Sequence, residues 1–227
     1  MVKALYLILS LAALALIAVL HLVPAETARR LIAEDGPVES LTAVAWFVGA
    51  AGLVLVLLKT RWRDAVSGAF ILALAGLREL DSQKRFTTMS ITKARFYLSP
   101  AVPLKEKVVV ILVLAVIAAV VIRFCWRNLP IWWRGVRTRH APSLAVLGGL
   151  AAVAVSEVLD RLPQVSREFG LPLPQGWPAS CHAAEEVLEL AGPCLLLAAM
   201  VDFYCRWSRS RAPPAPTAKG ADTGPEP

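Results

Sequence analysis

The chain is poor in most of what a soluble enzyme or a secreted module uses. Cysteine occurs four times, at Cys125, Cys181, Cys194 and Cys205, without a Cys-x-x-Cys pair, so neither a disulfide framework nor a zinc ribbon is indicated. Histidine occurs three times, too sparsely for a histidine-rich metal centre. There is no Gly-x-Gly-x-x-Gly, Walker A, Gly-x-Ser-x-Gly or His-Glu-x-x-His sequence, so phosphate-cradling loops, nucleophile elbows and zinc-protease helices find no motif support. Basic residues are not interleaved with aromatics in the manner of a soluble nucleic-acid-binding surface, so nucleic acid is not an expected partner. No repeat of 20 to 50 residues is present, which excludes solenoids.

Apolar residues are what the chain has in abundance. They make up 57% of it, aromatics only 7%, and they gather into Leu-, Ala-, Val- and Ile-rich runs. That balance is too apolar for a soluble domain of 227 residues. A bilayer core of about 30 Å takes roughly 20 helical residues. Met1 to Pro24 supplies such a run, with Lys3 ahead of it. A secretory signal peptide is the competing reading, but the run exceeds the roughly 7–15 apolar residues of a signal segment, and Pro24 sits badly beside a cleavage point. A retained first span is expected.

Further runs at Val38–Leu58, Ala65–Leu77, Val108–Phe124, Ser143–Leu159 and Ala183–Tyr204 complete an expected all-α, polytopic bundle of about six transmembrane helices over residues 1–209. The third run is the weak one, crossing only if the stretch from Arg78 to Asp81 dips into the membrane or a start at Arg63 lets charged ends snorkel. Residues 210–227 are rich in Pro, Ala and charge, and are expected to form a disordered cytoplasmic tail. Lys and Arg are nearly balanced between the two faces when the long third loop is counted, and strongly one-sided without it. The Trp126–His140 segment, expected as a loop, has no carboxylate. Both termini are therefore expected inside, in a plasma membrane of the bacterial inner-membrane type.

With six alternating spans, the ionisable residues at the helix ends collect on one side. Glu34, Asp35 and Glu39 open the second span, Arg78, Glu79 and Asp81 close the third, Glu157 and Asp160 close the fifth, and His21 closes the first. His182, Glu185, Glu186 and Glu189 open the sixth, within a sector of about 100° on a helical wheel. Glu189 lies about two turns into the span, where an unpartnered carboxylate costs about 2.5–3.5 kcal/mol. The expectation is that every ionisable residue entering the membrane belongs to this one face. Solvated helix starts, interfacial ion pairs, snorkelling ends and an inter-helix hydrogen-bond cluster are the plain structural accounts of these groups.

Two chemical accounts compete with them. In the first, the chain is an enzyme acting on an amphipathic or lipid-linked substrate. His182, Glu186, Glu189 and Glu157 form its catalytic set, and Glu39, Glu79, Asp81, His182 and Glu186 are ligands for a divalent ion, oxygen-rich enough for Mg, Mn or Ca and less suited to Zn. Arg78, Lys84 and Arg85 anchor an anionic lipid headgroup, helped by aromatics such as Phe96 and Tyr97 in the third loop. In the second, the same carboxylates relay protons or cations in a transporter. An accessory or structural membrane subunit is the third possibility, and oligomeric state is not legible. Glu185-Glu186 resembles the Glu-Glu pair of intramembrane prenyl endopeptidases. That motif continues to an Arg three residues on, where this chain has Glu189, and the family's later histidine motifs are absent.

Overall fold

The computed structural model describes residues 2–33, 36–80, 94–100, 102–171 and 173–211, and among them every regular element is a helix. These are α1 (Val2–Leu22), α2 (Ala25–Leu31), α3 (Pro37–Thr60), α4 (Asp64–Glu79), α5 (Ala94–Leu98), α6 (Leu104–Arg137), α7 (Ala141–Glu168) and α8 (Trp177–Arg211). Five of them, α1, α3, α6, α7 and α8, are long and apolar enough to cross a membrane. The expected all-α membrane bundle is the observed fold. The third predicted span is α4, whose 16 residues extend about 24 Å, short of the roughly 30 Å hydrocarbon core.

Local chemistry sets the helix ends. Pro37 occupies the first turn of α3, where its missing N–H costs no helical bond. The helix stops at Arg61, whose left-handed backbone (φ 58°) lets its N–H bond the Leu57 carbonyl. The turn into α4 is pinned by the Trp62 N–H donating to Thr60 Oγ1 at 3.2 Å. Arg139, at φ 55°, ends the next link, and the His140 N–H bonds the Gly135 carbonyl at 2.8 Å.

The segment from Trp126 to His140, expected as a loop, is a continuation of α6 as far as Arg137. A sequence reading ends a span at its first charge, here Arg123, but helical hydrogen bonding does not stop at the membrane edge, and Arg and Trp are acceptable in helices. Pro130 is accommodated inside this helix, and Asn128 Nδ2 donates to the Phe124 carbonyl one turn back. Likewise α7 and α8 run beyond the expected Leu159 and Tyr204; α8 is helical through Arg211, so the tail expected from residue 210 does not begin there, and residues 212–227 lie outside the described residues.

Packing is arranged around α8, which lies against α1, α3 and α7; α3 also packs on α4, and α6 touches α7 and α4. On the side of the bundle where α1 ends, Leu20, Ile32, Val38, Ala183 and Val187 form a small core. The α7–α8 contact is close because two glycines face each other: a Cβ on Gly149 would lie 2.9 Å from the Gly192 carbonyl oxygen. Small residues at such crossings substitute van der Waals contact for the hydrophobic effect, which lipid does not provide. By contrast α6 contributes one buried residue, Val110, and turns Val109, Ile111, Leu112, Val113 and Val116 outward, as expected where the solvent is hydrocarbon.

The two ends of the bundle differ in charge. One carries Lys59, Arg61, Arg63, Arg123, Arg127, Arg134, Arg137, Arg139, Arg206 and Arg209, opposed among the described residues only by Asp64 and Asp202, both in ion pairs. The other holds the remaining carboxylates of α3, α4, α7 and α8. The near balance of the sequence count comes from the third loop, most of which lies outside the described residues.

Candidate functional site

The shortness of α4 shapes the site. It ends at Glu79, whereas α7 continues about 16 Å past Glu157 and α8 begins about 18 Å before Glu189. The end of α4 is thus set below the ends of its neighbours, and its last charged residues meet α7 and α8 in a recess. Arg78 donates to Glu157 Oε1. Arg161, one turn along α7, stands 4.0 Å from the other oxygen of Glu157 and is more exposed.

From α8, His182 Nδ1 lies 3.2 Å from Glu185 Oε2. Glu186 is within electrostatic range of His182, Glu185, Glu39 and Glu79. Glu189 is within range of Glu79, Glu186, Glu185 and Arg78. Glu185 also faces Asp160 and Glu157 on α7. Side chains from four helices therefore share one electrostatic environment, in which, among the described residues, carboxylates outnumber cations.

Two details of the backbone and packing bear on this cluster. Pro193, fully buried, has no N–H to offer the carbonyl of Glu189 four residues earlier, so the helix loses one rung directly under the deepest carboxylate. Trp46 of α3 is buried, and its indole Nε1 has no hydrogen bond of normal geometry, although Glu79 is close enough to feel it. Beside the cluster, His21 Nε2 and Ser180 Oγ lie 2.9 Å apart, tying the end of α1 to the first turn of α8.

Of the residues singled out from sequence, Glu39, Glu79, Glu157, His182, Glu186 and Glu189 are brought into this one environment, and Arg78 is engaged by Glu157. Asp81, Lys84 and Arg85, together with Glu34 and Asp35, lie outside the described residues. Among the described residues no three His, Cys, Asp or Glu side chains stand together as a metal shell. Cys181, next to His182, is buried and unbonded to another cysteine.

One sequence expectation is overturned. Not every ionisable residue entering the membrane belongs to this face: Asp202, 2% exposed, lies in α8 about 20 Å from Glu189 and near the opposite end. It accepts from Arg206 Nε at 2.8 Å and from the Tyr6 hydroxyl of α1 at 3.1 Å. The signal was present in the sequence, as an Asp inside the last apolar run followed four residues later by an Arg, the spacing of a helical ion pair. The pair of Asp64 with Arg127, 3.4 Å apart between α4 and α6, was likewise not anticipated.

The fold and the recess define an integral membrane protein with a polar cluster recessed at one end of the bundle. No protein-family model matches the chain, and neither the curated proteins nor the solved structures compared with it give a match.

Proposed function

We propose that the chain is a membrane-embedded enzyme acting on an amphipathic or lipid-linked substrate at the carboxylate recess. The observation that carries the reading is the gathering of Glu39, Glu79, Glu157, Glu185, Glu186 and Glu189 in one environment, with Arg78 within range of Glu157, Glu79 and Glu189. Crowded carboxylates in a low-dielectric setting relieve their repulsion by holding protons or a cation, and groups held that way serve as general acids and bases. Glu186 or His182 takes the role of base, Glu189 and Glu157 share the protons of the cluster, and Arg78 receives an anionic headgroup by giving up part of its pairing with Glu157. Lys84 and Arg85 extend that anchor. A substrate with a polar head and apolar chain suits a polar cluster set at the end of an apolar bundle.

A divalent cation, Mg, Mn or Ca before Zn, belongs to this proposal as an optional cofactor. Glu39, Glu79, Asp81, His182 and Glu186 are its candidate ligands, and those described would have to close in to form a shell. The recess is assigned to the outer face of a bacterial inner membrane, with both termini cytoplasmic; the arginine-rich opposite end supports that orientation. A second reading, a proton- or cation-coupled transporter, is favoured by Asp202, a buried carboxylate on the same helix in the opposite half of the bundle.

The test uses full-length protein in liposomes of mixed phospholipids, with and without added divalent ions, and follows the lipids by mass spectrometry. Loss of headgroup or acyl chain with the native protein but not with Glu186→Gln supports the enzyme. Unchanged lipids together with pH-driven ion flux that Glu189→Gln abolishes would replace it with the transporter. Neither activity in any lipid leaves the cluster as a helix-locking element and ends both readings.

A further inference from the structure

The outward face of the last turns of α6 is a feature that the recess does not use. Arg123, Arg127, Arg134 and Arg137 fall at about 0°, 40°, 20° and 320° on its helical wheel, a stripe about 80° wide, with Trp126 and Trp133 beside it at about 300° and 280°. All six side chains are exposed. The opposite side of the same turns is occupied: Trp132 Nε1 donates to the Ser143 carbonyl at 3.1 Å, and Gly135 lies against the Ser143 side chain. The stripe therefore points away from α7, whose start fixes the inner side; Arg127, at its edge, reaches Asp64 of α4, and the other three arginines are turned outward.

Depth along the helix identifies what it meets. From Lys107 to Trp126 the axis advances about 28 Å, close to the roughly 30 Å hydrocarbon thickness, so Trp126 comes to the edge of the core. The interval from Trp126 to Trp133 adds about 10 Å, somewhat more than the roughly 5–8 Å of one headgroup layer, so Trp133 stands at its outer edge. Trp62 and the stacked Tyr204 and Trp207 lie at the same end, as an interfacial aromatic belt requires. By the same rise, Arg123 falls just below the edge, within snorkelling reach of it, Arg127 falls in the headgroup layer, and Arg134 falls at its outer edge, from which a long side chain reaches back to the phosphates. The only ion pair found in the stripe among the described residues is Arg127 with Asp64.

We infer that this stripe is a binding surface for anionic phospholipid headgroups in the leaflet at the arginine-rich end of the bundle. Guanidinium groups engage phosphate oxygens in pairs, the tryptophans pack against the glycerol region, and the apolar outer face of α6 holds the acyl chains. The inference is independent of the recess and of any activity there.

Spin-labelled phosphatidylglycerol and phosphatidylcholine test it, in liposomes containing the full chain, through the fraction of each lipid immobilised on the protein. The native protein is expected to favour phosphatidylglycerol roughly fivefold at low salt, with the preference falling as salt rises. R123Q/R134Q/R137Q should bring it close to one with the melting temperature unchanged, and R134Q alone, the mildest variant, should reduce it in part. R209Q, on the same end but off α6, should leave it intact. Equal immobilisation of both lipids by the native protein overturns the inference, and that is also what an acidic protein partner for the stripe would give. So does a preference that survives the triple variant, or one that R209Q removes equally, since total charge at that end would then be responsible.

Discussion

Arg78 at the end of α4 and Glu157 on α7 form the ion pair that fastens this short helix, which falls short of a full span, to the recess. The two side chains are 57% and 36% exposed within the protein, so the pair is half open. Arg161 approaches the same carboxylate but stands 4.0 Å off with 74% of its side chain exposed. The two arginines are therefore unequal. Arg78→Gln should destabilise by about 1 kcal/mol, and Arg161→Gln by less than about 0.5 kcal/mol. The double variant R78Q/E157Q should lose less than the sum of its two single changes. Denaturant unfolding in a mild detergent measures all four; strict additivity would show that the pair carries no coupling.

The α7–α8 crossing predicts a contrast between adjacent glycines. A Cβ at Gly149 meets the Gly192 carbonyl oxygen at 2.9 Å and Leu196 at 3.2 Å, whereas a Cβ at Gly148 meets only Leu195, at an ordinary 3.7 Å. Gly149→Ala should cost about 1–3 kcal/mol through forced separation of the helices, and Gly148→Ala should be near neutral or slightly stabilising. Because Gly192 lies one turn from Glu189, the first change should also alter access to the recess, seen as faster labelling of a cysteine introduced at Glu186. Equal melting temperatures for the two variants would mean that the close approach does not exist.

Much of this architecture was legible in the sequence, for a simple physical reason. A bilayer demands unbroken apolar runs of a set length, and that demand is written residue by residue in α1, α3, α6, α7 and α8. The gathering of Glu39, Glu79, Glu157 and Glu189 followed from alternation of the spans. What sequence could not fix was depth. The helical periodicity of α6 continues past Arg123, and only three-dimensional packing shows that Trp132 and Gly135 still face α7. Asp202 was missed because a single carboxylate barely alters the mean hydropathy of an otherwise apolar run. Its hydroxyl partner, Tyr6, is almost the whole chain away in sequence.

That Asp202 site predicts a stability effect at the end opposite the recess. Asp202 is 2% exposed and accepts from both Arg206 and Tyr6. Arg206→Gln leaves a buried carboxylate without its cation and should cost about 3–5 kcal/mol, reduced by whatever the half-exposed arginine already shares with solvent. Tyr6→Phe removes one hydrogen bond to a charged group and should cost about 1.5–3 kcal/mol. Since Tyr6 links α1 to α8 at this end, and His21 with Ser180 at the other, Tyr6→Phe should loosen the first turns of α1 selectively, with faster hydrogen exchange there than in α3. Uniform exchange across both helices would assign the link to apolar packing instead.

Glu189 sets the last expectation, and here stability and function should move in opposite directions. The carboxylate lies in the membrane half of α8, and the groups within its range are three other glutamates and one arginine that Glu157 already engages. Glu189→Gln keeps the shape and removes the charge. It should raise the unfolding free energy by up to about 2.5–3.5 kcal/mol, the penalty for a charge at the bilayer centre, and by less in proportion to how fully the group is already protonated or hydrated. If the cluster works by exchanging protons or a cation, the same change should abolish activity in liposomes. A chain that evolved only to hold its helices together would have no reason to keep the glutamate. A destabilised E189Q protein would therefore count against the chemical reading, because it would show that the charge is held by structural partners.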